Sequence, residues 1–117
     1  MKKRFGIIMA TALVGIIAFT GCTAKEESDT LTIGLEAAYA PFNWTQMDDS
    51  NGGVKIDGSA EYAGGYDVEI AKKVAEGLGK ELVIVKTEWN GLVPAVTSGK
   101  IDVIMAGMSP TEKRKES

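Results

Sequence analysis

The order of segments along the chain predicts an α/β fold, a parallel sheet with helices on both faces. Three observations carry this reading. Short apolar runs, one of them rich in β-branched residues, alternate with amphipathic stretches between residues 31 and 106, and glycines close the amphipathic stretches. Strand, helix, strand, helix, strand in that order builds right-handed βαβ units, and these require parallel strands.

Each element has its own reason. Leu31-Thr32-Ile33-Gly34-Leu35 is a short apolar strand. Asn43 to Gly65 follows, unusually long for a strand-to-helix connection, and Asn51-Gly52 within it is a strong turn signal, so it reads as a hairpin excursion. Its acidic run, Asp48-Asp49, lacks the bidentate Glu of an EF-hand loop and reads as a solvated turn. From Tyr66 to Leu78, Val68, Ala71, Val74, Ala75 and Leu78 share one helical face, while Glu69, Lys72, Lys73 and Glu76 share the other. Asp67 is placed to cap that helix and Gly79 to end it. Leu82-Val83-Ile84-Val85 is a second strand, suited to burial on both faces. A second helix runs from a cap at Asn90 through Ser98; Pro94 is tolerable near its first turn and Gly99 stops it. Ile101 to Ala106 is the third strand, and Thr111 caps a third helix.

The first residues describe export. Lys2, Lys3 and Arg4 precede a charge-free apolar run, Phe5 to Phe19, that is shorter than the roughly 20 residues a spanning helix needs, so residues 1–21 read as a signal peptide. Phe19-Thr20-Gly21-Cys22 looks like a lipobox, with Phe19 where Leu is usual, and makes Cys22 the expected acylation site. Cys22 is the only cysteine, so no intramolecular disulfide competes for it. Two or three acyl chains on one residue hold a protein firmly at a membrane, where one chain binds only marginally. Residues 22–30 read as a polar tether, leaving residues 31–117 as the folded part.

Charge and length narrow the partners. Removing the first 21 of 117 residues leaves 96, enough for one small domain, and takes three basic residues with it, so the formal net charge moves from −3 to −6. No basic stripe offers itself to nucleic acid.

Three blocks then carry a family resemblance. Gly34-Leu35-Glu36-Ala37-Ala38-Tyr39-Ala40-Pro41-Phe42, Gly65-Tyr66-Asp67-Val68-Glu69-Ile70-Ala71 and the stretch from Trp89 to Arg114 resemble, in that order, three motifs of the amino-acid-type extracellular solute-binding proteins (family 3) of ABC importers. The likeness covers nearly all of residues 31–117 and is strongest to the secreted lipoproteins of Gram-positive bacteria. It implies a periplasmic-binding-protein type II-like fold, of which 31–117 would be part of the first lobe. It also implies anchoring at the outer face of the cytoplasmic membrane, a free amino acid as ligand, a membrane permease as partner, and no cofactor or metal.

The resemblance also assigns roles. Tyr39 and Trp89 would face each other across a cleft and hold the ligand side chain by dispersion and cation–π attraction. Arg114 would grip the α-carboxylate in a bidentate fork, with the Ser109 hydroxyl beside it. Gly107 would present its carbonyl to the α-ammonium, and Glu36 would select a polar or cationic side chain. Plain alternatives stand beside these roles: two core aromatics, a solvated helix charge next to Lys113 and Lys115, and a carboxylate that supports a turn.

An enzyme is the competing class, because the same fold carries dehydratases and is joined to transglycosylases and sensor kinases. This chain has no histidine, its one cysteine is the expected acylation site, and no nucleophile has a base beside it, so binding is the expected activity. The family's second lobe has no counterpart here. Domain closure around a ligand requires two lobes, so the chain reads as a truncated product, a fragment or a nonfunctional remnant, expected to bind amino acids weakly or not at all.

Overall fold

The computed structural model describes residues 27–116; the leader, Cys22 and the first part of the tether lie outside them. Three parallel strands form the central sheet: β1 (Thr30–Leu35) lies between β6 (Glu81–Lys86) and β7 (Val103–Ile104). α1 (Tyr66–Leu78) leads into β6, and α2 (Trp89–Thr97) carries the chain from β6 across β1 to β7. The first crossover leaves β1 for one edge and the second returns past β1 to the other, so the two run in opposite directions and right-handed connections put α1 and α2 on opposite faces. Gly34 marks the α2 face: a Cβ there would lie 2.4 Å from Ile101 Cδ1 and 3.1 Å from Leu92 Cδ2.

The long excursion is a sheet of its own. β2 (Ala38–Tyr39), β3 (Asn43–Gln46), β4 (Val54–Lys55) and β5 (Tyr62–Gly64) pair antiparallel in the order β2-β3-β5-β4. The expected turn is a 3-10 turn over Ser50–Gly52, with Asn51 and Gly52 both at positive φ. Asp48 accepts a bond from the Ser50 N–H at 3.0 Å, so its carboxylate is spent on the turn. From α1, Lys72 donates to the Gly52 carbonyl and pairs with Glu69, tying helix to turn.

The core lies where α1 meets the sheets. Ile33, Leu35, Ile84 and Val68 are fully buried there, and Leu92 is equally buried under α2. Burial of each such side chain contributes about 1.5–3 kcal/mol relative to exposure.

Helix bounds agree with the sequence reading more closely than helix caps do. Both long helices end as glycine dictates: Gly79 and Gly99 adopt positive φ, and the Lys80 and Lys100 N–H groups reach back to Ala75 O and Ala95 O in the same Schellman geometry. Asp67 does not cap α1. Gly65 stands at the cap, the Pro41 and Phe42 carbonyls receive the Tyr66 and Asp67 N–H groups, and the buried Asp67 carboxylate accepts from Asn43 Nδ2 at 2.8 Å. Asn90 is likewise inside α2, whose cap position is Glu88 with no side-chain bond. Pro94 therefore sits beyond the first turn. Asn90, whose carbonyl Pro94 cannot serve, is exposed, and water can take that bond.

Two strands differ from expectation as well. β6 is buried fully only at Ile84, because among the described residues its outer edge meets one neighbour, the bridge from Ile56. β7 is shorter than Ile101–Ala106, since it pairs on one side only. Backbone bonds from Asp102 to Thr32 and from Met105 to Gly34 nonetheless keep the chain alongside β1. Thr111 caps α3 (Glu112–Lys115) as expected, its hydroxyl accepting from the Arg114 N–H at 3.2 Å.

Candidate functional site

The strand order reverses at β1, and the carboxyl ends of the parallel strands open there into a cleft. Each wall follows from local structure. β1 ends at Leu35, so Glu36 is the first residue beyond the sheet; Ala37 then takes φ 56°, turning the chain toward Ala38 and Tyr39. A non-glycine residue there carries about 1–2 kcal/mol of strain. β6 ends at Lys86, and Trp89 opens α2 three residues later. β7 runs into Gly107 at φ 60°, and the Thr111 cap sets Arg114 on the first turn of α3.

These turns converge on a cleft of about 380 Å³ lined by Glu36, Ala38, Tyr39, Trp89, Gly107, Ser109 and Arg114. All six residues singled out from the sequence stand on its walls. Ala38 is the addition, and its small side chain gave no signal of its own.

The geometry adds contacts the sequence did not disclose. The Arg114 guanidinium carbon lies 5.4 Å from the Trp89 ring centroid, and its Nη1 donates to the Ser109 carbonyl at 2.8 Å. One face of Trp89 is thus covered by this chain's own cation rather than left for a ligand; such contacts contribute about 0.5–1 kcal/mol at exposed sites. With one of its five donors engaged by Ser109, the guanidinium fork keeps capacity for an incoming carboxylate. Tyr39 is 48% exposed and is backed by Phe42, ring centroids 5.1 Å apart at 33°. A Cβ at Gly107 would come within 3.1 Å of the Tyr39 ring and 3.3 Å of Phe42, so glycine lets this turn pass close to the aromatic wall.

Two wider depressions lie elsewhere. One, of about 580 Å³, shares Gly107 and Ser109 but is walled mainly by Phe42, Tyr66, Ile70, Met105 and Met108; its only charged lining group, Asp67, is already held by Asn43. The other, of about 610 Å³, follows the outer edge of β6. Neither brings a carboxylate and a guanidinium into one lining as the smaller cleft does.

Comparison with known proteins agrees with this architecture. Residues 31–117 match the sequence profile of the bacterial extracellular solute-binding proteins, family 3. The chain is 36% identical over 113 residues to the octopine-binding periplasmic protein of Rhizobium meliloti, covering 97% of this chain and 33% of that protein. It is 32% identical over 124 residues to a probable histidine-binding protein of Campylobacter jejuni, covering 98% and 43%. A cyclohexadienyl dehydratase of Pseudomonas aeruginosa, an enzyme, is 30% identical over 123 residues, covering 98% and 41%. Among solved structures, the arginine-bound form of domain 1 from TmArgBP, the ArgBP of T. maritima, superposes with TM-score 0.61 at 40% identity, over 75% of this chain and 60% of that one. The chain thus spans between a third and somewhat over two-fifths of the length of these curated relatives.

Proposed function

The chain belongs to the bacterial extracellular solute-binding proteins, family 3, and on that premise we propose that it captures a free amino acid, a basic one by preference, for a membrane permease of the ABC type. The carrying observation is that Glu36 and Arg114 line one cleft together with Tyr39 and Trp89. An α-carboxylate on Arg114 with the Ser109 hydroxyl beside it, an α-ammonium donating to the Gly107 carbonyl, and a cationic side chain between Tyr39 and Glu36 give each charged group of a basic amino acid a partner on this wall. The arginine-bound domain 1 of the T. maritima protein supports the ligand class and the sufficiency of one lobe for contact. The histidine-binding relative points to the same class.

Binding fits the site better than catalysis does, despite the dehydratase relative. Among the cleft's lining residues Glu36 is the one carboxylate, and no histidine, cysteine or second carboxylate lines the cleft with it to share acid–base work. Residues 1–21 are proposed as a cleaved leader, Cys22 as the lipid attachment site, the stretch after it as a tether that ends where β1 begins at Thr30, one residue earlier than the sequence reading placed it, and the remainder as part of the first lobe.

Calorimetry of the full chain against an amino-acid panel tests the ligand. Arginine, lysine and histidine are expected to bind one to one, with Glu36→Gln narrowing their lead over glutamine. Silence from every amino acid would overturn the reading. The anchor is tested separately: Cys22→Ser is expected to release the protein into the medium or leave an uncut precursor, and a mature, membrane-bound variant would refute acylation.

A further inference from the structure

The Ala37 turn, which aims both Glu36 and Tyr39, is held from outside the cleft. β2 and β3 pair Ala38 with Trp44 and Tyr39 with Asn43. Continuing that register one step sets Ala37 opposite Thr45, where the ladder stops and Ala37 takes φ 56°. There the Thr45 hydroxyl donates to Ala37 O at 3.0 Å. Lys86 Nζ lies 3.1 Å from the same hydroxyl oxygen and 3.8 Å from the carboxylate of Glu61, the residue before β5. An ammonium only donates, so Thr45 Oγ1 must accept from Lys86, and its single hydrogen is left to point at Ala37. The Lys86–Glu61 pair is about two-fifths exposed and contributes little energy; what Lys86 adds is direction.

We propose that Thr45 is a positioning residue for the cleft: its hydroxyl, oriented by Lys86, stabilises the strained Ala37 turn and so fixes the directions of Glu36 and Tyr39. The inserted antiparallel sheet thereby has a task, bracing the ligand-facing turn from behind. The ligand part of this inference rests on the amino-acid reading above; the bracing of the turn does not.

The test uses the full chain with arginine as probe and amide NMR spectra as a ligand-independent readout. In Thr45→Val the amides of Glu36, Ala37, Ala38 and Tyr39 should shift while those of α1 stay, and arginine should bind roughly 3- to 10-fold more weakly. Thr45→Ser should restore both. Unmoved amides in Thr45→Val, or a serine variant that fails to restore them, would overturn the proposal by assigning Thr45 to methyl packing. If Thr45→Val does not fold, Lys86→Met leaves Thr45 in place, and the same four amides must move. Should the wild-type chain not bind arginine, the amino-acid reading fails, and the amide shifts alone decide whether Thr45 holds the turn.

Discussion

Arg114 has two partners before any ligand arrives, the Trp89 ring and the Ser109 carbonyl. Both hold the guanidinium on the cleft wall with its fork partly free, so less ordering remains to be done when a carboxylate binds. Arg114→Ala is expected to weaken basic-amino-acid binding by about 2–5 kcal/mol in a two-lobed protein carrying this lobe, where the carboxylate is largely desolvated. Arg114→Lys should recover part, lacking the planar fork; unchanged calorimetric affinity in Arg114→Ala would return the residue to the solvated helix face. Arg114 was legible through the family resemblance of the Trp89–Arg114 stretch, and Thr111, read as a cap, placed it on the first turn of α3. Its stacking on Trp89 was not legible, since α2 and α3 meet there only through the sheet between them in sequence. Ala37 was hidden for another reason: alanine carries no signal for positive φ, and the conformation is imposed by Thr45 and the β2–β3 pairing.

At the level of elements, glycines were read correctly where they end helices and incompletely where they begin one. Gly79 has nothing within 4 Å of a would-be Cβ, so Gly79→Ala meets only the φ of 66° and should cost about 1 kcal/mol. Gly65, at φ 121°, would set a Cβ 2.4 Å from the Phe42 carbonyl oxygen and 2.9 Å from Asn43 Cα, backbone atoms that cannot swing aside. Gly65→Ala should therefore cost about 3 kcal/mol or more and disturb Phe42 behind Tyr39. Urea denaturation of both variants checks the contrast; equal losses would show that φ alone matters. Sequence patterning found α1 because its face repeats, whereas caps depend on which carbonyls the tertiary fold brings near, here Pro41 and Phe42. The hairpin tip offers a pH test. The Ser50 hydroxyl, and after it the Ser50 N–H, hold the Asp48 carboxyl below its ordinary value of 3.8. A depressed carboxylate stabilises the turn above the ordinary value, and that contribution is lost only as the pH falls through the lower, folded one. The Ser50 amide should accordingly shift with a midpoint below pH 3.8, and a midpoint at or above it would remove the hydrogen bond from the account.

For the molecule as a whole, the described residues present one wall of a site. Tyr39 is 48% exposed, Ser109 and Gly107 are exposed, and Arg114 is half-buried, so a ligand seated on them keeps part of its charge in water. Pairs in that setting are weak and are screened by salt, while pairs closed off from solvent are far less so. Two consequences follow for the full chain with arginine. The affinity should be weaker than micromolar, and it should fall severalfold between about 10 mM and 150 mM salt, as the Debye length shrinks from about 30 Å to 8 Å. Titrations at both salt concentrations, with sedimentation to establish the oligomeric state, read the two together. Micromolar affinity in a monomer, indifferent to salt, would mean that this wall desolvates arginine unaided, and Tyr39 with its Phe42 backing would then have to fold over the ligand to account for it.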